Sequence, residues 1–342
     1  MENSGLRVVL AGAGRAGMVH GRNLAGRVPG ARLVGVADAD ADTAEAAARE
    51  LGCERWWDEP AKAVADEGVD AVVIASPTFT HVDIAVTALD AGRHVLCEKP
   101  LAPTLADARR IKEAAERSSA AFVMAFMRRY SPNVSAAKRA IEAGDIGRPL
   151  FARSTTRGPG LPPEWAWDPE RSAGLIAEVN SHDLDSVRWF VGQEYVRVHA
   201  VGRAAKRPDL AARYPNFVDL IAATYEFDEG GIAQVDGACP ADYAYDARLE
   251  VYGTEGALFV GDAREQGAAL VVRSDAARSE PAQSWRTVFA AGYLGEDEHF
   301  VRVAAGIQEP GTTVDDGIRA LEAALATNRS AELGRPVAIA EL

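Results

Sequence analysis

Val8-Val-Leu-Ala-Gly-Ala-Gly-Arg-Ala-Gly17 decides the fold. Val8–Ala11 forms a short apolar strand, and glycines at G-x-G-x-x-G spacing open the segment Arg15–Arg27, which reads as a helix. The spacing alone is a weak signal in a chain with 31 glycines. Set between a strand and a helix, it has the context its chemistry requires. Gly12 permits the tight turn, Gly14 lets the backbone approach a pyrophosphate, and Gly17 allows close helix–strand packing. Arg15 and Ala16 then offer backbone N–H groups at the helix N-terminus, where an anion rests. The next strand ends Val34-Gly-Val-Ala-Asp38, about 20 residues on, where a carboxylate accepts hydrogen bonds from ribose hydroxyls. Asp38 would repel a 2′-phosphate and has no Arg or Lys beside it, so NAD is expected rather than NADP. For capping the following helix, Asp42 or Thr43 is better placed.

Outward from that stretch, short apolar runs alternate with Ala-rich helical segments, the pattern of a parallel sheet covered by helices. Strands are expected at Leu6–Ala11, Arg32–Ala37, Asp70–Ala75, His94–Glu98 and Ala121–Phe126, with helices at Asp42–Leu51, Thr80–Ala91 and Leu105–Arg117. Continuous apolar runs suit strands buried on both faces. After Met127 the strand-like segments lengthen and follow one another: Leu150–Arg157, Val196–Arg203, Val218–Phe227, Gly231–Ala238, Arg248–Gly253 and Ala269–Arg273. Phe227-Asp-Glu-Gly-Gly-Ile232 reads as a hairpin turn. Helices are expected at Leu175–Phe190 and Val314–Arg329, and Pro159–Pro169 reads as a mobile Gly/Pro/Trp-rich loop. The expectation is an α/β chain with a Rossmann domain and parallel sheet over residues 1–126. An α+β domain with a large, mostly antiparallel open sheet follows over residues 127–342, for substrate binding and oligomerisation.

With 342 residues the chain can hold two such cores, and 48% hydrophobic against 25% charged residues is the balance of a folded protein. The formal net charge is -13 and no basic run exceeds a dipeptide, which argues against nucleic acid or an anionic membrane as partner. No apolar run approaches the ~20 residues of a membrane span. Cys53, Cys97 and Cys239 show no C-x-x-C spacing, so reduced thiols and a cytoplasmic location are expected. The six histidines are scattered without metal-binding spacing, and no metal is expected.

Cys97-Glu-Lys-Pro100, following Ala75-Ser-Pro-Thr78 and His81, resembles the glucose–fructose oxidoreductase / inositol dehydrogenase (Gfo/Idh/MocA) family. Met127-Arg-Arg-Tyr130, Gly174 with Glu178-x-x-x-His182-Asp183, and Gly334-Arg-Pro-Val337 extend the resemblance over nearly the whole chain. It implies that Ser76, Thr78, His81, Glu98 and Lys99 join the glycines around NAD. It further implies that Lys99 reaches substrate and nicotinamide while His182 works as acid/base. The residues read by themselves agree. Oxidising an alcohol needs a base for the hydroxyl proton as hydride leaves, and histidine titrates near the operating pH. Lys99 stands at the C-terminal end of a parallel strand, where open α/β sheets bind ligands, and its ammonium can stabilise developing alkoxide charge. Glu178 and His182 share a helix face at i, i+4, so the carboxylate can fix the imidazole tautomer or hold a neighbouring hydroxyl. Many family members carry Asp at the position of Glu178. Surface ion pairs, Glu98 with Lys99 and Glu178 with His182, are the plainer alternatives. Asp183 can touch substrate, whereas Asp185 can be structural.

Tyr243-Ala-Tyr-Asp246 and Ser154-Thr-Thr-Arg-Gly-Pro159 resemble segments of the family's inositol dehydrogenases, Tyr-Gly-Tyr-Asp and Ser-Thr-Ser-Arg-Asp-Pro. Arg128, Arg157, Tyr243 and Tyr245 bring guanidinium and hydroxyl groups suited to a polyhydroxylated ring. Trp189 reads as core; Trp165 and Trp167 suit either core or sugar stacking. The resemblance thus implies inositol 2-dehydrogenase-like oxidation of a cyclitol. Oxidation of an aldose is the alternative within the same chemistry, and a non-catalytic NAD-binding sensor is the alternative outside it. The pairing of Lys99 with His182 speaks against a sensor. A homodimer or homotetramer is expected from the family and from apolar Val218, Leu220 and Tyr225 on a strand without a second helical layer.

Overall fold

A computed structural model describes residues 5–53, 55–168, 171–214, 216–261, 271–272, 277–278 and 284–342. The chain divides into two compact units, Met1–Met127 with Gly292–Ile318, and Arg128–Ala291 with Arg319–Leu342. The first unit runs β1 (Leu6–Ala11), α1 (Gly17–Gly26), β2 (Ala31–Ala37), α2 (Ala41–Leu51), β3 (Arg55–Trp57), α3 (Pro60–Ala65), β4 (Ala71–Ile74), α4 (His81–Asp90), β5 (His94–Glu98), α5 (Leu105–Arg117) and β6 (Phe122–Ala125). Its six strands are parallel in the order β3-β2-β1-β4-β5-β6. Val8–Ala11 and Ala71–Ile74 have no exposed surface, which is why these strands read as unbroken apolar runs. The order reverses between β1 and β4, so the loops after them open a crevice at the strands' C-terminal ends. One strand of this sheet escapes the expectation. Arg55-Trp-Trp57 is only three residues long on the sheet edge, and Asp70–Ala75 is therefore the fourth strand rather than the third.

In chain order there follow α6 (Pro132–Glu142), β7 (Pro149–Arg157), α7 (Gly174–Val191), β8 (Tyr195–Arg203), α8 (Pro208–Arg213), β9 (Leu220–Phe227), β10 (Ile232–Ala238), β11 (Asp246–Gly253), β12 (Ala257–Val260), β13 (Val271–Val272), β14 (Ala277–Arg278), α9 (Trp285–Val288), α10 (Ala290–Ala304), α11 (Val314–Leu333) and β15 (Val337–Ala338). The second unit's sheet has the order β12-β11-β7-β10-β9-β8-β15, antiparallel throughout except for the pair β7–β10. Strand β9 alternates exposed and buried residues, so one face of the sheet is covered and the other open. Tyr225 points to the covered face, where its hydroxyl lies 2.6 Å from Thr327 Oγ1 on α11. Of the three residues expected to mark an open apolar face, only Leu220 is exposed; Val218 precedes the strand. The hairpin at Phe227–Ile232 forms with Gly230 at φ 84°. Val271–Val272 is the described part of the strand expected at Ala269–Arg273, and the remainder lies outside the described residues. So does Pro169 of the expected loop, within which Glu164–Trp167 makes a 3-10 turn.

Candidate active site

The glycine turn of the first unit separates packing from ligand room. A Cβ at Gly12, whose φ is 99°, would sit 2.4 Å from Ser76 N, and one at Gly17 would sit 1.9 Å from Gly12 O. These two glycines are demanded by the chain itself. At Gly14 a Cβ would meet nothing within 4 Å, so what that glycine leaves open is space beside the backbone. Helix α1 has no side-chain cap and no acidic residue in its first turn, which leaves its positive end to an outside anion. These features fit the pyrophosphate of a dinucleotide. Asp38 lies at the end of β2, its Oδ2 accepting from Ala13 N at 2.8 Å and its Oδ1 from Asp40 N at 3.0 Å. Helix α2 is capped by neither Asp42 nor Thr43. Asp40 is the cap, accepting from Thr43 N at 3.1 Å, because it stands one residue before the first helical position.

On the far side of the crevice, Ser76 Oγ lies 2.6 Å from Thr80 Oγ1, and Thr78 is buried. His81 is also buried, its ring nitrogens each 2.9 Å from a backbone carbonyl, Pro100 O and Ser76 O. Its imidazole thus pins the loop after β4 to the one after β5. Burial holds its titration below the ordinary histidine range. Lys99 follows directly on β5 and is half-buried. Glu98, 6% exposed, turns inward: Oε2 accepts from Lys99 N at 3.0 Å and Oε1 faces His20 Nε2 at 3.3 Å. Burial pushes Glu98 up, but His20 and then Lys99 outweigh it and hold it below the usual carboxylate range. His20, and with it Asn23, Glu296 and Asp297, were missed by the sequence reading. The one available signal was His20 itself, three residues past Gly17 on the glycine helix.

In the second unit, His182 and Glu178 stand one turn apart on α7, a helix with 13 of its 18 residues buried. His182 is 5% exposed, and Glu178 Oε1 accepts from Ser172 Oγ at 2.7 Å. Asp183 and Arg128, both expected at substrate, form a buried ion pair at 2.8 Å. Asp183 also accepts from Thr156 Oγ1 and Asn180 Nδ2, each at 2.8 Å, and from Ser154 Oγ. Its oxygens are filled by the protein because Ser154, Thr156 and α7 all face the covered side of the sheet. Asp185 pairs with Arg129, as a structural residue would. Tyr245 is buried, edge-on to Phe289, and burial raises its hydroxyl's titration against the pull of Arg128. Adjacent strand residues alternate in face, so Arg157 lies opposite Thr156, on the sheet's open side, bound to Asp236 at 2.6 Å. Tyr243 bonds Asp246 at 2.6 Å. The sheet thus parts Arg157 from the set Arg128, Asp183 and Thr156. Trp167 lies edge-on to Tyr214 and Phe217, while Trp189 stacks on Phe190.

Both sequence families that match describe this architecture. The oxidoreductase family with NAD-binding Rossmann fold, GFO_IDH_MocA, matches residues 6–126, and the GFO/IDH/MocA C-terminal domain matches residues 134–259. The chain belongs to the Gfo/Idh/MocA oxidoreductase family. Among its relatives in that family, scyllo-inositol 2-dehydrogenase (NAD(+)) of Bacillus subtilis (strain 168) is 34% identical over 97% of this chain and 96% of its own. Myo-inositol 2-dehydrogenase of Thermotoga maritima is 30% identical over 98% and 99%. A crystal structure of scyllo-inositol dehydrogenase from Lactobacillus casei with bound NAD(H) and scyllo-inositol superposes with a TM-score of 0.89. It is 27% identical and covers 98% of this chain and 99% of that one. Residues 6–126 thus match the NAD-binding Rossmann fold of the family's oxidoreductases.

Proposed function

We propose that the protein oxidises a secondary alcohol of a cyclitol of the inositol type to the ketone, with NAD as acceptor. The observation that carries this reading is the end-to-end likeness to inositol 2-dehydrogenases, over 97% and 98% of the chain. NAD, when bound, supplies the acceptor for the hydride. Residues Gly12, Gly14, Arg15, Ala16, Asp38, Ser76 and Thr78 form its cradle, with His81 pinning the loops that carry it and Glu98 bonded to the Lys99 N–H. The Lys99 ammonium polarises the reacting oxygen and stabilises alkoxide character as the C–H bond breaks. His182 takes the hydroxyl proton, and Glu178 orients its imidazole or holds an adjacent hydroxyl. Arg128 and Asp183 brace α7, and the Tyr245 hydroxyl, beside Arg128, reaches toward the ring. In this reading residues 1–126 serve the cofactor, with Gly292–Ile318 packed in the same unit, and the rest of 127–342 serves the substrate. Exposed Val201, Leu220, Ile232, Tyr252 and Phe259 on the second sheet support pairing of copies into a homodimer or homotetramer. Reduced thiols at Cys53, Cys97 and Cys239 support a cytoplasmic location.

The test is NADH formation at 340 nm with NAD and a panel of myo-, scyllo- and chiro-inositol and common aldoses, with NADP as control and Lys99→Met in parallel. Turnover of a cyclitol with NAD, lost in the variant, is the expected result. Turnover of aldoses alone moves the substrate, and silence across the panel despite NADH binding overturns the enzymatic reading.

A further inference from the structure

Behind the end of β5 the first unit buries titratable groups that the reaction described above does not use. His20, on α1, has no exposed surface; its Nδ1 lies 2.6 Å from Asp297 Oδ1 and its Nε2 3.3 Å from Glu98 Oε1. Asp297, on α10, is likewise fully buried, and its Oδ2 accepts from Asn23 Nδ2 at 2.8 Å. The Tyr293 ring stands edge-on to the imidazole at 5.2 Å. The chain of bonds runs Asn23, Asp297, His20, Glu98 and ends on one backbone group, the N–H of Lys99, 3.0 Å from Glu98 Oε2. Both ring nitrogens of His20 face carboxyl oxygens, an arrangement that favours the imidazolium. Burial alone would lower the titration of His20, but Asp297 and Glu98 outweigh it and hold the imidazolium well above the usual histidine range.

A cluster kept only to hold α10 against α1 and the sheet has a cheaper apolar solution, since well-packed hydrophobic side chains commonly replace a buried ion pair at no loss. What an apolar replacement cannot supply is an acceptor for the Lys99 N–H fixed at both of its oxygens. We propose that His20 and Asp297 are positioning residues for Lys99: they clamp the Glu98 carboxylate, which holds the Lys99 backbone and so sets the point from which the ammonium meets the reacting oxygen. The proposal rests on Lys99 acting at the substrate, as read above. Without His20 the two carboxylates of Glu98 and Asp297 are left buried with no cation between them, and Glu98 takes up a proton or turns away. Lys99 then loses the fixed acceptor on its N–H.

The experiment uses the full chain with His20→Gln, Asp297→Asn and Asn23→Ala, beside Lys99→Met. Amide hydrogen exchange is measured without added ligand, and NADH binding and steady-state turnover as a function of pH are measured with NAD and the panel's best cyclitol. In His20→Gln and Asp297→Asn, exchange at the Lys99 amide is expected to quicken tenfold or more while amides of β1 and β4 keep their protection. Their kcat is expected to fall at least tenfold with an altered pH profile, and the Kd for NADH to stay within threefold. Asn23→Ala removes only the outermost bond, so it covers the case in which the other two variants do not fold; a two- to fivefold fall in kcat is expected. Unchanged exchange at Lys99 overturns the proposal, as does a loss of kcat matched by an equal loss of NADH binding. A Lys99→Met protein that retains full turnover removes the premise instead, and the exchange result still reports on the clamp.

Discussion

Replacing Glu296 by Gln removes a carboxyl that the first unit holds fully buried, with no hydrogen-bond partner at either oxygen among the described residues. Burial pushes its titration well above the ordinary carboxyl range, and the attraction of His20 does not offset that. The folded chain therefore keeps a proton that the unfolded chain releases near about pH 4.3. Stability falls with rising pH wherever the unfolded state binds fewer protons, by about 1.4 kcal/mol per pH unit for one group. The penalty is absent below the ordinary carboxyl range and grows until the native carboxyl itself titrates. His20, raised by its carboxylates, acts in the same direction: its contribution is whole below about pH 6.5 and lost as pH climbs through its native titration. That part is common to wild type and variant and cancels in their difference. The glutamine amide, buried without partners, shifts the variant by about 1–3 kcal/mol at every pH, so the slope decides rather than the offset. For a unit of this size 1 kcal/mol moves Tm by about 2–4 °C. Melting followed by circular dichroism should show the variant gaining roughly 3–6 °C on wild type for each pH unit above about pH 5. A difference that stays constant within about 1 °C from pH 5 to 7 would refute the buried neutral carboxyl.

Gly14→Ala should fold with unchanged melting, because its Cβ meets no atom of the described residues within 4 Å, yet lose about tenfold or more in NADH affinity by titration fluorescence. Gly17→Ala should instead lose about 1–3 kcal/mol of stability to urea, since its Cβ would lie 1.9 Å from Gly12 O. Asp38→Ala should raise the KM for NAD by about tenfold and narrow the gap to NADP by at least about as much, read as the ratio of kcat/KM values. Asp183→Asn leaves the Arg128 guanidinium buried without its anion and should cost about 3–5 kcal/mol in urea unfolding of the second unit.

The parts of the fold that could be read ahead are those specified by neighbours in sequence. β5 and α5 have the expected limits, His94–Glu98 and Leu105–Arg117, because apolar runs and Thr104 as N-cap mark them locally. Arg55–Trp57 carries no such mark: three residues cannot show a period, and what makes them a strand is pairing with Gly35–Ala37. Helix α10 fails for a different reason. Its buried set includes Glu296 and Asp297 alongside Phe300 and Val301, so an acidic pair that reads as a solvated face lies inside.

The same division runs through the candidate site. Gly12, Gly14, Gly17 and Asp38 were legible because the turn, the helix start and the next strand end all lie within one β-α-β segment, and each glycine's reason is a contact or a space close by. Arg128 and Asp183 stand out in the sequence as charged side chains, but not as each other's partners. An ion pair between residues 55 apart in the chain leaves no mark in the local sequence. Arg157 illustrates a finer limit, since a single step along β7 separates it from Thr156 by the thickness of the sheet, and only the pairing register fixes which face is open. His20 is the extreme case: its acceptors stand 78 and 277 residues away. A lone histidine on a glycine helix is unremarkable until Glu98 and Asp297 are placed around it. Burial then forces all three to share charge, and that is the physical reason a local reading of this sequence finds the lysine and passes over what holds it.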